Sequence, residues 1–419
     1  VNHSAPVVPL VGIVPFVSVL AAIAIFPLVA PHFWERNRNK GLVMALFSLP
    51  IAVWLGGAHP SALTHAALEY VSFLCLLSSL FIVAGGIHLG GDLQATPRNN
   101  TILLGVGALL ASFIGTTGAS MLMIRLLLRT NSERKNTVHL AFFFILVVSN
   151  CGGLLTPLGD PPLFLGFLRG VPFLWTFRLF PVWLLANAYL LTVFFFIDRK
   201  AYRNELKQNL ARDLTEYQPL NIEGRLNIVW LLGIVFSVFL PTPMREASMV
   251  AAATLSLVTG SREPRRKNEF SFAPIVEVAV LFAGIFVTMV PALAMLERNG
   301  PALGLVAPYH FFLVTGALSS VLDNAPTYLT FLTTAQSTAS NLGSVPEVVG
   351  VPANYLAAIS IGAVLMGANT YIGNGPNFMV KAIADATGYT TPSFGRYAAM
   401  AIFVLSPVYL IVALTVHLY

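Results

Sequence analysis

The sequence predicts an all-α polytopic membrane protein of two inverted repeats, each with five crossings, a re-entrant hairpin and a broken helix. Three observations predict it. Of 419 residues, 56% are hydrophobic and 10% charged, where a soluble domain carries about 25% charged residues. Many apolar runs approach the ~20 residues that cross a hydrocarbon core as a helix. Features also recur at near-constant spacing. Glu69 and Glu277 are 208 positions apart, polar tips at Thr116 and Asp323 are 207 apart, and proline breaks at Pro161 and Pro376 are 215 apart. This indicates an internal repeat of roughly 210 residues.

The elements follow in order. Crossing 1 is expected over Val8–Ala30, crossing 2 over Leu42–Leu55 and crossing 3 over Ala67–Ile87. Thr101–Leu128 holds a polar tip, Gly115–Ser120, between two short apolar arms, which predicts a hairpin that enters and returns. Crossing 4, Val138–Leu168, is interrupted at Asn150–Pro162 by glycines, prolines and Asp160. Proline removes a backbone donor and glycine frees the chain. In lipid, such backbone survives only where protein buries it or a cavity meets it. Crossing 5 covers Phe173–Ile197, and a charged linker, Asp198–Arg225, follows. It carries Arg199, Lys200, Arg203, Glu205, Lys207, Arg212, Asp213 and Glu216, and suits a helix lying on the membrane surface.

The second half repeats the plan. Crossings 6 to 8 are expected over Leu226–Leu240, Ala247–Thr259 and Phe272–Leu296. A second hairpin, Leu303–Thr334, has the tip Asp323–Thr327; crossing 9, Ala353–Ala386, breaks at Asn369–Asn377; crossing 10 covers Tyr397–His417. Lys and Arg gather on one side: Arg36, Arg38, Lys40, Arg98, Arg129, Arg134, Lys135, the linker, Arg262, Arg265, Arg266, Lys267 and Arg396. The other side holds Arg169, Arg178, Arg245 and Arg298. The positive-inside rule then inverts the halves and puts both termini outside, in a bacterial-type inner membrane. Val1 in place of Met suits a removed signal peptide or a trimmed chain. The net charge of +6 sits in loops, which speaks for topology and against nucleic-acid binding. Cys75 and Cys151 lie inside apolar segments, so neither a disulfide framework nor a cysteine metal site is expected.

Inverted repeats whose broken helices meet at mid-membrane are the architecture of secondary transporters. Four polar elements are expected to converge: Thr116, Thr117 and Ser120; Asn150, Thr156, Gly159 and Asp160; Asp323, Asn324 and Thr327; and Asn369, Thr370, Asn374 and Asn377. An ionisable group at membrane depth costs at least about 2.5–3.5 kcal/mol. Asp160 and Asp323 are therefore the sharpest candidates, although each also stands where a helix cap belongs. The amides and hydroxyls suit Na⁺ and suit a carboxylate equally; each also has a use satisfying local backbone. A Na⁺ site is expected at Asp160, Asn150, Asp323 and Asn324. Glu69, Glu277 and Lys381 are accessory charges, with interfacial roles as the alternative. The histidines show no ligand spacing.

At these residues the chain resembles the ion transporter superfamily, which includes NhaD-type sodium/proton antiporters, arsenite exporters of the ArsB type and citrate or dicarboxylate carriers. The motifs are Thr116–Ser120, Asn150–Gly153 with Thr156–Asp160, Asp323–Pro326 and Gly373–Asn377. Gly-Gly-x-x-Thr-Pro-x-Gly-Asp at Gly152–Asp160 is particularly similar to the NhaD type. The resemblance covers essentially the whole chain. It implies an elevator-type homodimer with scaffold crossings in 1–66 and 226–271. The transport parts are then 67–197 (hairpin 101–128, broken helix 138–168) and 272–419 (hairpin 303–334, broken helix 353–386), joined by a cytoplasmic linker, 198–225. Dicarboxylate carriers have Ser-Asn-Thr at both tips, whereas these tips contain Thr-Thr-Gly-Ala-Ser and Asp-Asn-Ala-Pro-Thr.

An aspartate in the site repels an anion unless a proton or cation accompanies it. The leading expectation is therefore exchange of Na⁺ (or Li⁺) for H⁺, with Asp160 and Asp323 titrating. The alternative is Na⁺-coupled symport of citrate or another organic anion. No cofactor or enzymatic role is expected. An intramembrane aspartyl protease is disfavoured, because Pro157 stands where its Gly-x-Gly-Asp motif needs glycine. No phosphate loop is present for an ATP-driven pump.

Overall fold

The computed structural model describes residues 10–206, 208–209, 219–342 and 348–419. Val1, Val8 and the linker residues Lys207, Arg212, Asp213 and Glu216, on which sequence expectations fell, lie outside these. Among the described residues, six helices are long and apolar enough to cross a membrane: Asn37–Ala58, Pro60–Gly85, Val138–Leu155, Phe173–Arg203, Ala273–Leu303 and Phe394–Leu418. Three shorter apolar helices, Val11–Pro27, Leu226–Ser237 and Ala353–Asn369, accompany them. The chain is a mostly helical polytopic membrane protein.

The expected elements coincide with helices. The first half contains α1 (Val14–Val29), α2 (Asn37–Ala58), α3 (Pro60–Gly85), α4 (Pro97–Ile114), α5 (Thr116–Thr130), α6 (Val138–Val147), α7 (Pro161–Leu168) and α8 (Phe180–Arg203). The second contains α9 (Leu226–Ser237), α10 (Met244–Thr259), α11 (Ala273–Asn299), α12 (Pro308–Ser319), α13 (Asn324–Leu342), α14 (Ala353–Met366), α15 (Gly375–Ala386) and α16 (Phe394–Thr415). Proline opens α3, α4, α7 and α12, where its missing N–H costs nothing. Thr96 accepts the Asn99 N–H at 3.3 Å and caps α4, so the first hairpin begins before the expected Thr101. Its tip is also tighter than expected. Only Gly115, at φ +81°, lies outside the two arms, and Thr116–Ser120 are already helical. The charged end of crossing 5 stays helical to Arg203, where Lys200 and Arg203 suit the C-terminal dipole.

One part of the linker departs from the all-helical expectation. Asn221–Glu223 pairs antiparallel with His88–Gly90, His88 opposite Glu223. Three residues on each side are too few to read from sequence. This ribbon ties the segment after α3 to the second half. Asn227 donates to Gly86 O at 2.8 Å, and Asn268 to Gly85 O at 3.0 Å and Ile87 O at 2.6 Å. Carbonyls at and just past the end of α3 are thereby satisfied by side chains from the other half.

Burial separates centre from rim. In the Val138–Leu155 window 89% of residues are buried, against 11% for Asn37–Ala58. The broken helices therefore form the core, and α2 presents its apolar surface outward. Phe142, Phe143 and Phe144 of α6 and Ile359 and Ile361 of α14 are almost fully enclosed. A break in such a helix is surrounded by protein, as membrane physics requires.

Candidate functional site

The first break begins where α6 ends. Cys151–Leu155 form a 3-10 turn, and the chain extends through Thr156 before α7 starts at Pro161. Gly153 and Gly159 touch back to back inside it. A Cβ on Gly159 would lie 2.1 Å from Gly153 O, so no side chain fits there. The first hairpin docks on this loop: Thr116 N–H donates to Gly159 O at 2.8 Å, and Ser112 Oγ donates to Gly152 O at 2.5 Å. Thr156 Oγ1 donates to Ser112 O and accepts Leu158 N–H at 3.1 Å.

The second half repeats these bonds. Ser320 Oγ donates to Met366 O at 3.1 Å, Thr370 Oγ1 to Ser320 O at 2.5 Å, and Ile372 N–H to Thr370 Oγ1 at 3.3 Å. Gly367 and Gly373 make the same close approach, 2.5 Å from a Cβ on Gly373 to Gly367 O. The bonds correspond at 208 positions between hairpins and 214 between breaks. The sequence expectation of 207 and 215 is thus one residue out of register. Asp323 belongs to the turn and matches Gly115, so Asn324, the first helical residue, matches Thr116. Asp160 then matches Asn374.

Three of these four matched residues aim at the fourth. Asp160 is 1% exposed. Its Oδ1 accepts Thr116 Oγ1 at 2.9 Å and Asn374 Nδ2 at 3.0 Å, and its Oδ2 accepts Asn324 Nδ2 at 2.5 Å. Asp160 precedes α7 but its side chain makes no cap bond there. The carboxylate is turned instead towards both hairpin tips and the second break. Asn324 Oδ1 is buried with no hydrogen-bond partner among the described residues, which leaves an acceptor beside the carboxylate.

A ladder of amides backs this centre. Asn374 Nδ2 also donates to Ser149 O at 3.1 Å and Asn150 Oδ1 at 3.3 Å. Asn150 Nδ2 donates to Ile145 O at 2.8 Å and Asn377 Oδ1 at 2.7 Å. Asn377 Nδ2 donates to Gly367 O and Thr370 O, both at 2.9 Å. Ser120 and Ser149 share a hydroxyl contact at 2.8 Å. The amides thus stitch one break to the other.

Other expected residues stand apart from the carboxylate. Asp323 is half-buried, and its Oδ1 accepts Ala325 N–H at 3.0 Å, the geometry of a helix cap. Thr327 Oγ1 returns to Asp323 O at 2.9 Å. Asn369 Nδ2 donates to Ser320 Oγ at 2.9 Å. Glu69 pairs with Arg169 at 2.6 Å and Glu277 with Lys40 at 2.6 Å, while Lys381 pairs with Asp385 at 2.5 Å and lies 5.6 Å from the ring of Tyr371 in the second break.

Two adjoining hollows reach the site. One is lined by Gly115, Thr116, Thr117, Leu158, Gly159 and Pro161 with Leu77 and Phe81. The next lies between α3 and α11, lined by Leu74, Ser78, Thr117, Pro274, Ile275 and Val278. It lies near the end of α3 and the start of α11, where the molecule carries Arg262–Lys267. Thr117, expected in the binding set, faces this crevice.

Sequence reasoning missed the residues that hold the breaks: Ser112, Ser149, Ser320, Trp183, Tyr397 and Tyr409. Ser112 and Ser320 were findable, since both stand shortly before a tip at the repeat spacing. Lone polar or aromatic residues in crossings 5 and 10 carry no such signal. A comparison with curated proteins gives no match. The model of the family described as "Putative citrate transport" matches residues 5–417, nearly the whole chain, and the chain belongs to that family.

Proposed function

We propose that the chain is a secondary carrier that moves an organic anion of the citrate kind together with a cation, and that Asp160 holds the cation. One observation carries this reading: hydroxyl and amide donors from both hairpin tips and the second break converge on a single buried carboxylate. Such donors recognise carboxylates, and the family description supports an anion of that class. Coupling follows from electrostatics. An anion cannot settle beside buried, ionised Asp160 without paying Coulomb repulsion at low dielectric. Na⁺ or H⁺ on Asp160 removes that repulsion, and the free acceptor on Asn324 supplies a second oxygen.

The recurrence of the same bonds in both halves supports an inverted repeat, and therefore alternating access by motion of the hairpins and breaks against the remaining helices. An elevator-type homodimer in a bacterial-type inner membrane, with both termini outside, completes the reading. The second reading is exchange of Na⁺ (or Li⁺) for H⁺ at the same carboxylate. The burial of Asp160 and the unpartnered Asn324 oxygen favour it, because both suit a small cation.

Proteoliposomes holding a pH-sensitive dye separate the two. They are pulsed with Na⁺, Li⁺ and K⁺, and separately given radiolabelled citrate with and without Na⁺ or a proton gradient. Cation-dependent citrate uptake is expected. Proton movement on Na⁺ or Li⁺ pulses without citrate would establish exchange instead. Asp160→Asn is expected to lower either flux at least ~100-fold, the scale of a lost charge interaction of about 3 kcal/mol. Full flux in that variant would place the cation elsewhere.

A further inference from the structure

The segments after the two breaks, α8 and α16, correspond at the same 214 positions, and both open on phenylalanine, Phe180 and Phe394. Each buttresses its break. Trp183 Nε1 donates to Gly152 O at 3.1 Å, and its counterpart Tyr397 donates to Ala368 O at 2.9 Å. The second half adds a relay. Tyr409 OH donates to Asn369 Oδ1 at 2.7 Å, with Leu365 O a more distant acceptor at 3.3 Å. Asn369 Nδ2 in turn donates to Ser320 Oγ, four residues before Asn324.

Among the described residues the first half is linked differently: Trp183 and Ser112 meet on Gly152 O, and Asn187 Nδ2 donates to Cys151 O at 3.4 Å. Its counterparts to Tyr409, Asn369 and Ser320 are Phe195, Leu155 and Ser112. At the matched places a phenyl ring and a leucine stand where the second half has the hydroxyl and the amide. The tips differ in a matching way. Thr116 is pinned by its own backbone N–H to Gly159 O. Among the described residues no backbone bond ties Asn324 N–H to the second break. A long amide without that pin needs its approach fixed from behind.

We propose that Tyr409 is a positioning residue for the transport site. Through Asn369 and Ser320 it sets where the second hairpin tip brings Asn324 against Asp160. The substitutions that test this copy the other half: Tyr409→Phe and Asn369→Leu. Hydrogen exchange on purified full-length protein is expected to quicken about fivefold at Ser319–Thr327, the scale of one neutral hydrogen bond. Exchange at Cys151–Thr156 is expected to stay as in the parent. In proteoliposomes, the half-saturating concentration of the citrate or Na⁺ flux is expected to rise about fivefold, with the maximal rate within twofold. Unchanged exchange at the tip, exchange that quickens along the whole chain, or an unchanged half-saturating concentration overturns the proposal. The flux measurement rests on the function proposed above, whereas the exchange measurement does not. Retained flux in Asp160→Asn therefore defeats that function, while tip exchange still decides the role of Tyr409.

Discussion

Asp160 and Asn374 stand at matched places and bond to each other because they differ. One offers only acceptors, the other a donor at 3.0 Å. Two aspartates there would repel and two asparagines would leave no charge. Asn374→Asp is therefore expected to destabilise the protein at neutral pH more than Asn374→Ala, read as melting temperature in detergent. The glycines beside them set a sharper condition. Gly159→Ala and Gly373→Ala drive a Cβ to 2.1 and 2.5 Å from a carbonyl oxygen. Each is expected to cost more than ~3 kcal/mol or to prevent folding. Gly375→Ala, whose Cβ meets nothing within 4 Å, is the control and is expected to melt with the parent.

At the scale of elements, the first hairpin is held at its open end by a buried polar knot. Asp198 of α8 accepts Arg134 at 2.6 Å, His139 at 2.8 Å and Asn100 at 3.0 Å. Asn131 closes the knot by exchanging bonds with Asn100. Removing the carboxylate leaves a buried guanidinium without its opposite charge, which costs about 3–5 kcal/mol. Asp198→Asn is thus expected to lower the melting temperature and quicken hydrogen exchange at Pro97–Thr101. Nothing in the sequence announced this knot, because its members are scattered from Asn100 to Asp198 and each reads alone as an interfacial residue. The hairpins and breaks were legible for the opposite reason. Glycine, proline and Asp160 inside an apolar run have few uses in lipid other than lining a cavity. Asp160 and Asp323 looked alike in the sequence; only the fold distinguishes a carboxylate turned across the molecule from one that caps its own helix. The ribbon of His88–Gly90 with Asn221–Glu223 was illegible because three residues carry no period.

For the molecule as a whole, the two ways to the site are unequal. The crevice lined by Leu74, Leu77, Ser78, Phe81 and Thr117 is open. Its counterparts at 208 positions, Phe282, Ile285, Phe286, Met289 and Ala325, are all buried, whereas on the crevice side Leu74, Leu77, Ser78 and Thr117 are half-buried and Phe81 is buried. Aromatic rings fill that side: Phe73 lies 4.6 Å from Phe282 and Tyr70 5.8 Å from Phe286. Such rings each bury some 150–250 Å², so wetting them is costly; on the proposed reading they are the shut door. With Cys75 and Cys151 replaced, Ser78→Cys is expected to react with a membrane-impermeant thiol reagent from the Lys/Arg-rich side, and Phe286→Cys slowly from either side. Phe282→Ala should lighten the shut door and shift the resting population about tenfold, seen as slower labelling at Ser78→Cys; equal labelling with and without Phe282→Ala would contradict this. On the alternating-access reading proposed above, the carrier has a preferred waiting posture, and its slow step at saturating substrate is expected to be the return to it or departure from it. On that reading a stack of aromatic rings leaves its packing once in every cycle, and turnover is accordingly expected to climb steeply with temperature.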